Sequence, residues 1–173
     1  NNIPVAEMSK HGIPVFNAPG ANANAVKELV VAGMLLAARN LGEALDFANR
    51  LGDRPDAEQA MEAEKKRFVG SELSGHVLGV VGLGRIGKRM AHISRNVFKR
   101  VVAYDPYIID GDFPAYVGRV DLEALFEQSD IVSLHVPLTD ETRGMVGERL
   151  VARLRRGSML VNTARGAVVD IDA

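Results

Sequence analysis

The chain of 173 residues contains no cysteine and no tryptophan, and aromatic residues make up only 5% of it. Without cysteine it cannot form a disulfide bond, use a thiolate nucleophile or hold a metal ion through sulfur. His11, His76 and His92 stand alone in the sequence, without the spacing of metal ligands. We therefore expect no metal site, and a cysteine-free chain suits a reducing compartment such as the cytoplasm.

The chain also has no excess of positive or negative charge, and it has no long apolar run. The 21 Lys and Arg residues nearly balance the 22 Asp and Glu residues, which leaves a formal net charge of −1. The basic excess that attracts nucleic acid or an anionic membrane is therefore missing. The longest apolar stretch, residues 29–38, is too short to cross a bilayer, and the first residues do not resemble a signal peptide. We expect neither nucleic acid nor a membrane as partner.

The remaining composition, 47% hydrophobic and 25% charged, is ordinary for a globular domain. From residue 76 onward, apolar segments alternate with helical patterns. This alternation, with strands that are apolar almost throughout, is typical of a parallel sheet covered on both faces. The predicted fold class is α/β, a Rossmann-type doubly wound parallel sheet with helices on both faces. We predict strands at 76–81, 101–104, 131–135 and 158–161, separated by helices at 85–98, 122–128 and 148–154.

The part of the chain before residue 76 is less regular. We predict a short strand at 13–16 and an exposed helix at 57–67. Between them, Asn22 or Asn24 can cap a long apolar helix that Gly42 interrupts. The apolar face of this helix can pack within one chain or across a dimer.

The most informative motif is Gly82-Leu83-Gly84-Arg85-Ile86-Gly87, which stands between a predicted strand and a predicted helix. Gly82 permits a tight turn, Gly84 lets a phosphate approach the backbone, and Gly87 lets the helix pack closely on the strand. The unpaired N–H groups of the first helical turn and the helix dipole attract negative charge. This layout is typical of units that bind a dinucleotide such as NAD.

Asp105 ends the next strand, about 20 residues past the glycine motif, which is the usual position of the acid that binds a ribose. Its carboxylate can accept hydrogen bonds from the ribose hydroxyls and would repel a 2′-phosphate, so the sequence favours NAD over NADP.

Two further segments follow strand ends and should share the same crevice, since ligands bind at the carboxyl ends of parallel strands. Arg165 follows the last strand, where its guanidinium can clamp a substrate carboxylate and polarise a carbonyl, or lie on the surface. We expect His135 to pack at the cleft edge or to contact the cofactor rather than to act as an acid or base. Arg85 can reach the pyrophosphate or remain solvated.

Together these motifs resemble the D-isomer-specific 2-hydroxyacid dehydrogenases, and the resemblance covers nearly the whole chain. The N-terminal segments at 16–26 and 68–73 look most like the D-3-phosphoglycerate dehydrogenase branch. The segments that carry the resemblance are Gly82-Leu83-Gly84-Arg85-Ile86-Gly87, Ala103-Tyr104-Asp105-Pro106-Tyr107, His135-Val136-Pro137-Leu138-Thr139 and Asn162-Thr163-Ala164-Arg165-Gly166.

The resemblance implies an NAD-dependent oxidation of a small 2-hydroxy acid, D-3-phosphoglycerate, to 3-phosphohydroxypyruvate in serine biosynthesis. It implies that the backbone of Arg85 and Ile86 meets the pyrophosphate and that Asp105 holds the adenosine ribose. Arg165 matches the substrate-binding catalytic arginine of the family. The residues implied to line the nicotinamide side are Val136, Thr142, Thr163, Ala164 and Arg165. His135 and Pro137 are further candidate cofactor contacts.

The resemblance also implies a domain division. Residues 1–21 would be a remnant of the substrate-binding domain and its hinge, and residues 22–173 a C-terminally truncated NAD-binding domain. The glutamate–histidine relay of the family lies downstream of the arginine motif, beyond Ala173. We therefore expect this chain to bind NAD without turnover, and the full-length protein to be a dimer or tetramer.

Two alternatives remain. An NAD-sensing corepressor related to this family uses the same fold without catalysis. An NAD-retaining enzyme such as an adenosylhomocysteine hydrolase is a further possibility, against which the Asn162–Gly166 segment argues.

Overall fold

The computed structural model describes residues 3–172, which form a five-stranded parallel sheet flanked by helices. The strands are β1 (Val77–Val81), β2 (Arg100–Tyr104), β3 (Gly118–Arg119), β4 (Ile131–Leu134) and β5 (Met159–Asn162). The helices are α1 (Val5–Lys10), α2 (Ala23–Ala38), α3 (Leu41–Leu51), α4 (Ala57–Glu64), α5 (Arg85–Ser94), α6 (Leu122–Gln128) and α7 (Glu148–Val151).

The strand order is β3-β2-β1-β4-β5, with every neighbouring pair parallel. Val80 of β1 lies opposite Ala103 of β2 on one side and Ser133 of β4 on the other. The chain therefore winds outward from β1 in one direction and then returns to continue in the other. A crevice opens at the carboxyl ends of β1 and β4, where the order reverses.

Each face of the sheet has its own hydrophobic core, because alternate residues of each strand point to opposite faces. Leu78 and Val80 of β1 pack under α2 and α5, together with Met34 and Met90. On the opposite face, Val81 and neighbouring strand residues pack under α6 and α7; the members of that core include Val102, Val132, Leu134, Leu125, Phe126 and Leu150. The predicted doubly wound sheet with helices on both faces is confirmed.

The strands at 76–81, 101–104, 131–135 and 158–161 are all present, shifted by no more than a residue or so at their ends. The predicted strand at 13–16 is wrong, since that segment has no strand conformation. Ile13 and Phe16 are exposed, so the short apolar run there has neither a sheet edge to pair with nor a core to enter. The two-residue strand β3 is too short to leave a pattern in the sequence.

The long N-terminal helix also ends differently from the prediction. The break falls at Arg39 and Asn40, where Asn40 adopts a left-handed conformation with φ of 49°, and Gly42 lies inside α3. Asparagine tolerates this conformation better than most residues because its short side chain can bond locally. Asn22 occupies the position before α2 without making a side-chain cap.

None of the helices within residues 3–172 is long and apolar enough to cross a membrane. In the same residues, no group of three or more His, Asp or Glu side chains is arranged to hold a metal ion.

Candidate functional site

The glycine turn after β1 depends on two backbone contacts. Gly82 has φ of +89°, and its N–H donates to the Tyr104 carbonyl at 2.8 Å, which joins the turn to the end of β2. A Cβ on Gly87 would lie only 1.9 Å from the carbonyl oxygen of Gly82. Gly87 is therefore required because it lets α5 begin directly against the turn.

The second glycine of the motif has open space around it. Gly84 precedes α5 in an extended conformation with φ of −65°, and a Cβ added there would meet nothing within 4 Å. It has no side chain to cap the helix, so the first N–H groups of α5 need another partner. The exposed helix terminus is partly positive, and the backbone beside it carries no side chain at Gly84. This arrangement suits the pyrophosphate of a dinucleotide.

Asp105 lies half-buried at the end of β2, facing the same turn. Its Oδ2 accepts from the Leu83 N–H at 2.8 Å, and its Oδ1 accepts from the Tyr107 N–H at 3.0 Å. These bonds fix the carboxylate, and each oxygen keeps a second lone pair that can accept from a ribose hydroxyl.

A cavity of about 580 Å³ opens next to this carboxylate, which we call the Asp105 cavity. Gly82 and Gly84 of the glycine turn and residues 139–142 of the loop after β4 line it. Across it, the Tyr107 hydroxyl donates to Glu141 Oε2 at 2.7 Å, and this bond raises the pKa of the phenol above its usual value. The cavity has room for a ring system, and Asp105 offers a carboxylate that can accept hydrogen bonds from hydroxyl groups.

A second cavity of about 590 Å³, the Arg165 cavity, lies on the other side of His135, Val136 and Pro137. These three residues line both cavities and form a ridge between them. The other residues of the Arg165 cavity are Asn22, Val26, Ile86, Leu138, Thr163, Ala164 and Arg165. Two adjoining cavities that share one wall fit an extended ligand with two ring systems.

His135 is partly buried at the ridge. Its Nε2 is 2.9 Å from Ser133 Oγ, and burial lowers its pKa from 6.5 to about 4, so the imidazole is neutral near pH 7. Its Nδ1 and the Oγ1 of Thr163 are buried atoms without a hydrogen-bond partner among the described residues. Both residues line the Arg165 cavity, so a polar group bound there can satisfy atoms that the protein leaves unpaired.

Arg165 is exposed just beyond the end of β5, and its guanidinium forms no ion pair with any side chain of residues 3–172. Its Nη1 donates to the Ala164 carbonyl at 2.8 Å. Asn162 shapes the turn, because its Nδ2 donates to the Arg165 carbonyl at 2.8 Å and its Oδ1 accepts from the Ala164 N–H at 3.0 Å. The guanidinium is thus held at the rim of the cavity by a short, braced segment.

Thr142 and Arg85 make side-chain contacts that the sequence did not indicate. Thr142 lines the Asp105 cavity, not the Arg165 cavity, and its Oγ1 donates to the Pro137 carbonyl at 2.6 Å, which braces the loop after β4. The side chain of Arg85 packs against Gly20, where an added Cβ would be 2.6 Å from Arg85 Cδ. Ile86 lines the Arg165 cavity as well as belonging to the first turn of α5.

Sequence reasoning missed Tyr107 and Glu141 as neighbours of the site. Tyr107 follows Asp105 closely enough that its position was foreseeable. Glu141 stands 34 positions from Tyr107, in a polar loop without any local signal.

The strand order, the glycine turn and the placement of Asp105 define a dinucleotide-binding domain of the Rossmann type. The sequence profile of the "D-isomer specific 2-hydroxyacid dehydrogenase, NAD binding domain" matches residues 31–173. The chain belongs to this family and is its NAD-binding domain, so the predicted cofactor, NAD, is confirmed.

Curated relatives share more than a third of the sequence. The hydroxypyruvate reductase of Thermotoga maritima is 39% identical over 173 residues, covering 100% of this chain and 53% of the relative. The glyoxylate reductase of Korarchaeum cryptofilum is 41% identical over 172 residues, covering 98% and 50%. The D-3-phosphoglycerate dehydrogenase of Methanocaldococcus jannaschii is 36% identical over 177 residues, covering 98% and 31%. The chain therefore spans about half, or less, of the length of these relatives.

Solved structures agree on the fold. The apo D-lactate dehydrogenase of Escherichia coli matches with a TM-score of 0.83 and 31% identity, over 100% of this chain and 52% of that one. The D-lactate dehydrogenase of Aquifex aeolicus, solved with NAD and lactic acid, matches with a TM-score of 0.78 and 32% identity, over 98% and 48%.

The glycines of the turn should separate binding from folding. Gly84→Ala should weaken NAD binding at least about tenfold without lowering the melting temperature, because its Cβ has room in the protein and obstructs only the approach of the pyrophosphate. Gly87→Ala should destabilise the fold by about 1–3 kcal/mol or more, because its Cβ overlaps the Gly82 carbonyl. Calorimetric titration with NAD and thermal unfolding measure the two effects.

Gly75→Ala is the matched control, since a Cβ there also meets nothing within 4 Å but lies away from both cavities. It should leave NAD affinity unchanged. Normal NAD binding by the Gly84→Ala variant would contradict the pyrophosphate position.

His135 should make stability fall as the solution becomes acidic. The unfolded chain takes up a proton on this residue near pH 6.5, whereas the native chain resists protonation until about pH 4. The free energy of unfolding should therefore lose roughly 3 kcal/mol between those pH values through this residue. We expect urea unfolding from pH 4 to 8 to give a flatter profile for His135→Gln than for the unmodified chain. Parallel profiles would show that the imidazole does not stay neutral.

Proposed function

We propose that the protein carrying this chain is an NAD-dependent D-2-hydroxyacid dehydrogenase that oxidises D-3-phosphoglycerate to 3-phosphohydroxypyruvate in serine biosynthesis. The observation that supports it best is the pair of cavities on either side of the His135–Pro137 ridge, one with Asp105 and the other with Arg165. A cytoplasmic location belongs to the same proposal, since a cysteine-free chain suits a reducing compartment.

In this proposal the dinucleotide lies across the ridge. The adenosine half occupies the Asp105 cavity, with its ribose on the carboxylate, and the pyrophosphate meets the backbone of Arg85 and Ile86 beside Gly84. The nicotinamide half occupies the Arg165 cavity. The residues proposed to line it are Val136, Pro137, Thr163 and Ala164, with the unpaired atoms of His135 and Thr163 as polar partners.

Arg165 is proposed to bind and orient the substrate. A guanidinium presents two parallel N–H donors to a carboxylate, which fixes the plane of the hydroxy acid. In the structure the Nη1 of Arg165 donates to the Ala164 carbonyl. This neutral acceptor is weaker than a carboxylate, so a substrate carboxylate can replace it. The same positive charge stabilises the negative charge that develops on the substrate oxygen at the reacting carbon.

Bound NAD supplies the hydride acceptor for the oxidation. The hydroxyl proton of the substrate also needs a base. Among the described residues that line the Arg165 cavity, His135 is the only imidazole or carboxylate, and with a pKa of about 4 it is a weak acceptor. We propose that the base belongs to the rest of a longer protein, in which residues 1–21 are part of the substrate-binding domain and hinge, and residues 22–173 the cofactor domain.

A second candidate is the reduction of hydroxypyruvate or glyoxylate. It is supported by the relatives of those names, whose identities of 39% and 41% exceed the 36% of the D-3-phosphoglycerate dehydrogenase. The two candidates differ in whether the substrate carries a phosphate, so the first requires a further anion-binding group.

A substrate panel on the full-length protein separates the candidates. We expect the highest kcat/KM for D-3-phosphoglycerate with NAD, and Arg165→Lys should lower that kcat/KM about 100-fold, because lysine cannot make the paired hydrogen bonds. Arg156→Lys, the same change at an exposed position away from both cavities, is the control. A higher kcat/KM for hydroxypyruvate or glyoxylate would replace the first candidate by the second.

We also propose that the chain self-associates through an apolar face of α2 and α3. Leu29 and Leu36 stand two turns apart on α2, and Leu41 and Leu45 stand one turn apart on α3. All four are exposed, and Leu29 and Leu45 expose 64% and 59% of their surface. Exposed apolar side chains one or two turns apart on neighbouring helices are typical of a protein interface.

The double substitution Leu29→Glu and Leu36→Glu should convert a dimer into a monomer in sedimentation velocity runs, because it places charge in an apolar contact. Ile109→Glu introduces the same residue at another exposed apolar position and should leave the dimer intact. An unmodified chain that sediments as a monomer at high concentration would refute this interface.

A further inference from the structure

The Asp105 cavity contains more negative charge than a ribose acceptor requires. Besides Asp105, it is lined by Asp140 and Glu141 from the loop after β4. Among its described lining residues there is neither lysine nor arginine, and the one histidine, His135, has a pKa of about 4. A neutral ribose hydroxyl is compatible with these carboxylates, whereas a phosphate is not.

Tyr107 connects two of the acids. Its backbone N–H donates to Asp105 Oδ1 at 3.0 Å, and its hydroxyl donates to Glu141 Oε2 at 2.7 Å. One residue therefore fixes a carboxylate from the end of β2 relative to a carboxylate from the loop after β4. Glu141 would otherwise be an exposed side chain free to turn into solvent.

The hydrogen bond has a second consequence. A tyrosine hydroxyl has a single proton, and here it is donated to Glu141. Next to the ribose acceptor, Tyr107 therefore presents no side-chain donor to an incoming phosphate. The group that could have helped to bind a 2′-phosphate instead positions a charge that opposes it.

We infer that Glu141, held in place by Tyr107, is a second determinant that excludes NADP and acts together with Asp105. The inference rests on the proposed placement of the adenosine half in the Asp105 cavity. A 2′-phosphate carries nearly two negative charges at neutral pH, so each nearby carboxylate adds a repulsion that the unphosphorylated ribose does not experience. It follows that removing the charge of Asp105 alone leaves an NAD-preferring protein.

The test measures the dissociation constants of NAD and NADP by calorimetry for the unmodified chain, Asp105→Asn, Glu141→Gln and the double variant. At low ionic strength, Glu141→Gln should lower the ratio of the NADP constant to the NAD constant about fivefold, and the double variant should lower it further than Asp105→Asn does. Because the effect is electrostatic, added salt should reduce the difference.

Two further variants isolate the cause. Tyr107→Phe removes the tether but keeps the charge of Glu141, so it should lower the ratio by a smaller factor than Glu141→Gln. Glu58→Gln makes the same change of charge at an exposed position on α4, away from the cavity, and should leave the ratio unchanged.

The outcomes separate this inference from the proposed function. If NAD binds and Asp105→Asn weakens it, while Glu141→Gln leaves the ratio as it was, the inference is wrong and the placement of the cofactor stands. If Asp105→Asn leaves NAD affinity unchanged, the adenosine half does not lie in this cavity, and both fail.

Discussion

The contact between Gly87 and the carbonyl of Gly82 is the constraint on which the site depends. With no side chain at Gly87, α5 begins against the turn that ends β1, and the first N–H groups of the helix open onto the crevice. The same turn is tied to β2 by Gly82 and to Asp105 by the Leu83 N–H. The helix terminus proposed to bind the pyrophosphate and the carboxylate proposed to bind the ribose are therefore parts of one hydrogen-bonded backbone unit.

The reversal of strand order between β1 and β4 determines what lies around that unit. Because β2 and β4 flank β1, the loops after these strands face each other across its carboxyl end. They enclose the Asp105 cavity, and the His135–Pro137 ridge separates it from the Arg165 cavity. The buried Nδ1 of His135 and Oγ1 of Thr163 have no hydrogen-bond partner within residues 3–172, and such unpaired polar atoms are expected where a polar ligand group is to be received.

The fold was largely predictable, because four of the strands are mostly apolar runs of four or five residues that alternate with helical patterns. The errors fall where tertiary partners matter more than local pattern. Residues 13–16 have a strand-like pattern but no sheet edge beside them, and β3 consists of two residues that pair only because β2 is there. The break after α2 depends on the left-handed conformation of Asn40, whereas the sequence had predicted the break at the nearby Gly42.

The sequence by itself determined the glycine turn, the acid at residue 105 and the arginine at 165, because each of these occupies a fixed position relative to a strand end. Only the tertiary structure decided which side chains meet across the crevice. Tyr107 in the loop after β2 donates to Glu141 in the loop after β4, although no local pattern relates the two loops. The reason is physical: a parallel sheet brings together segments that are distant along the chain, and the contact depends on strand order and not on spacing in the sequence.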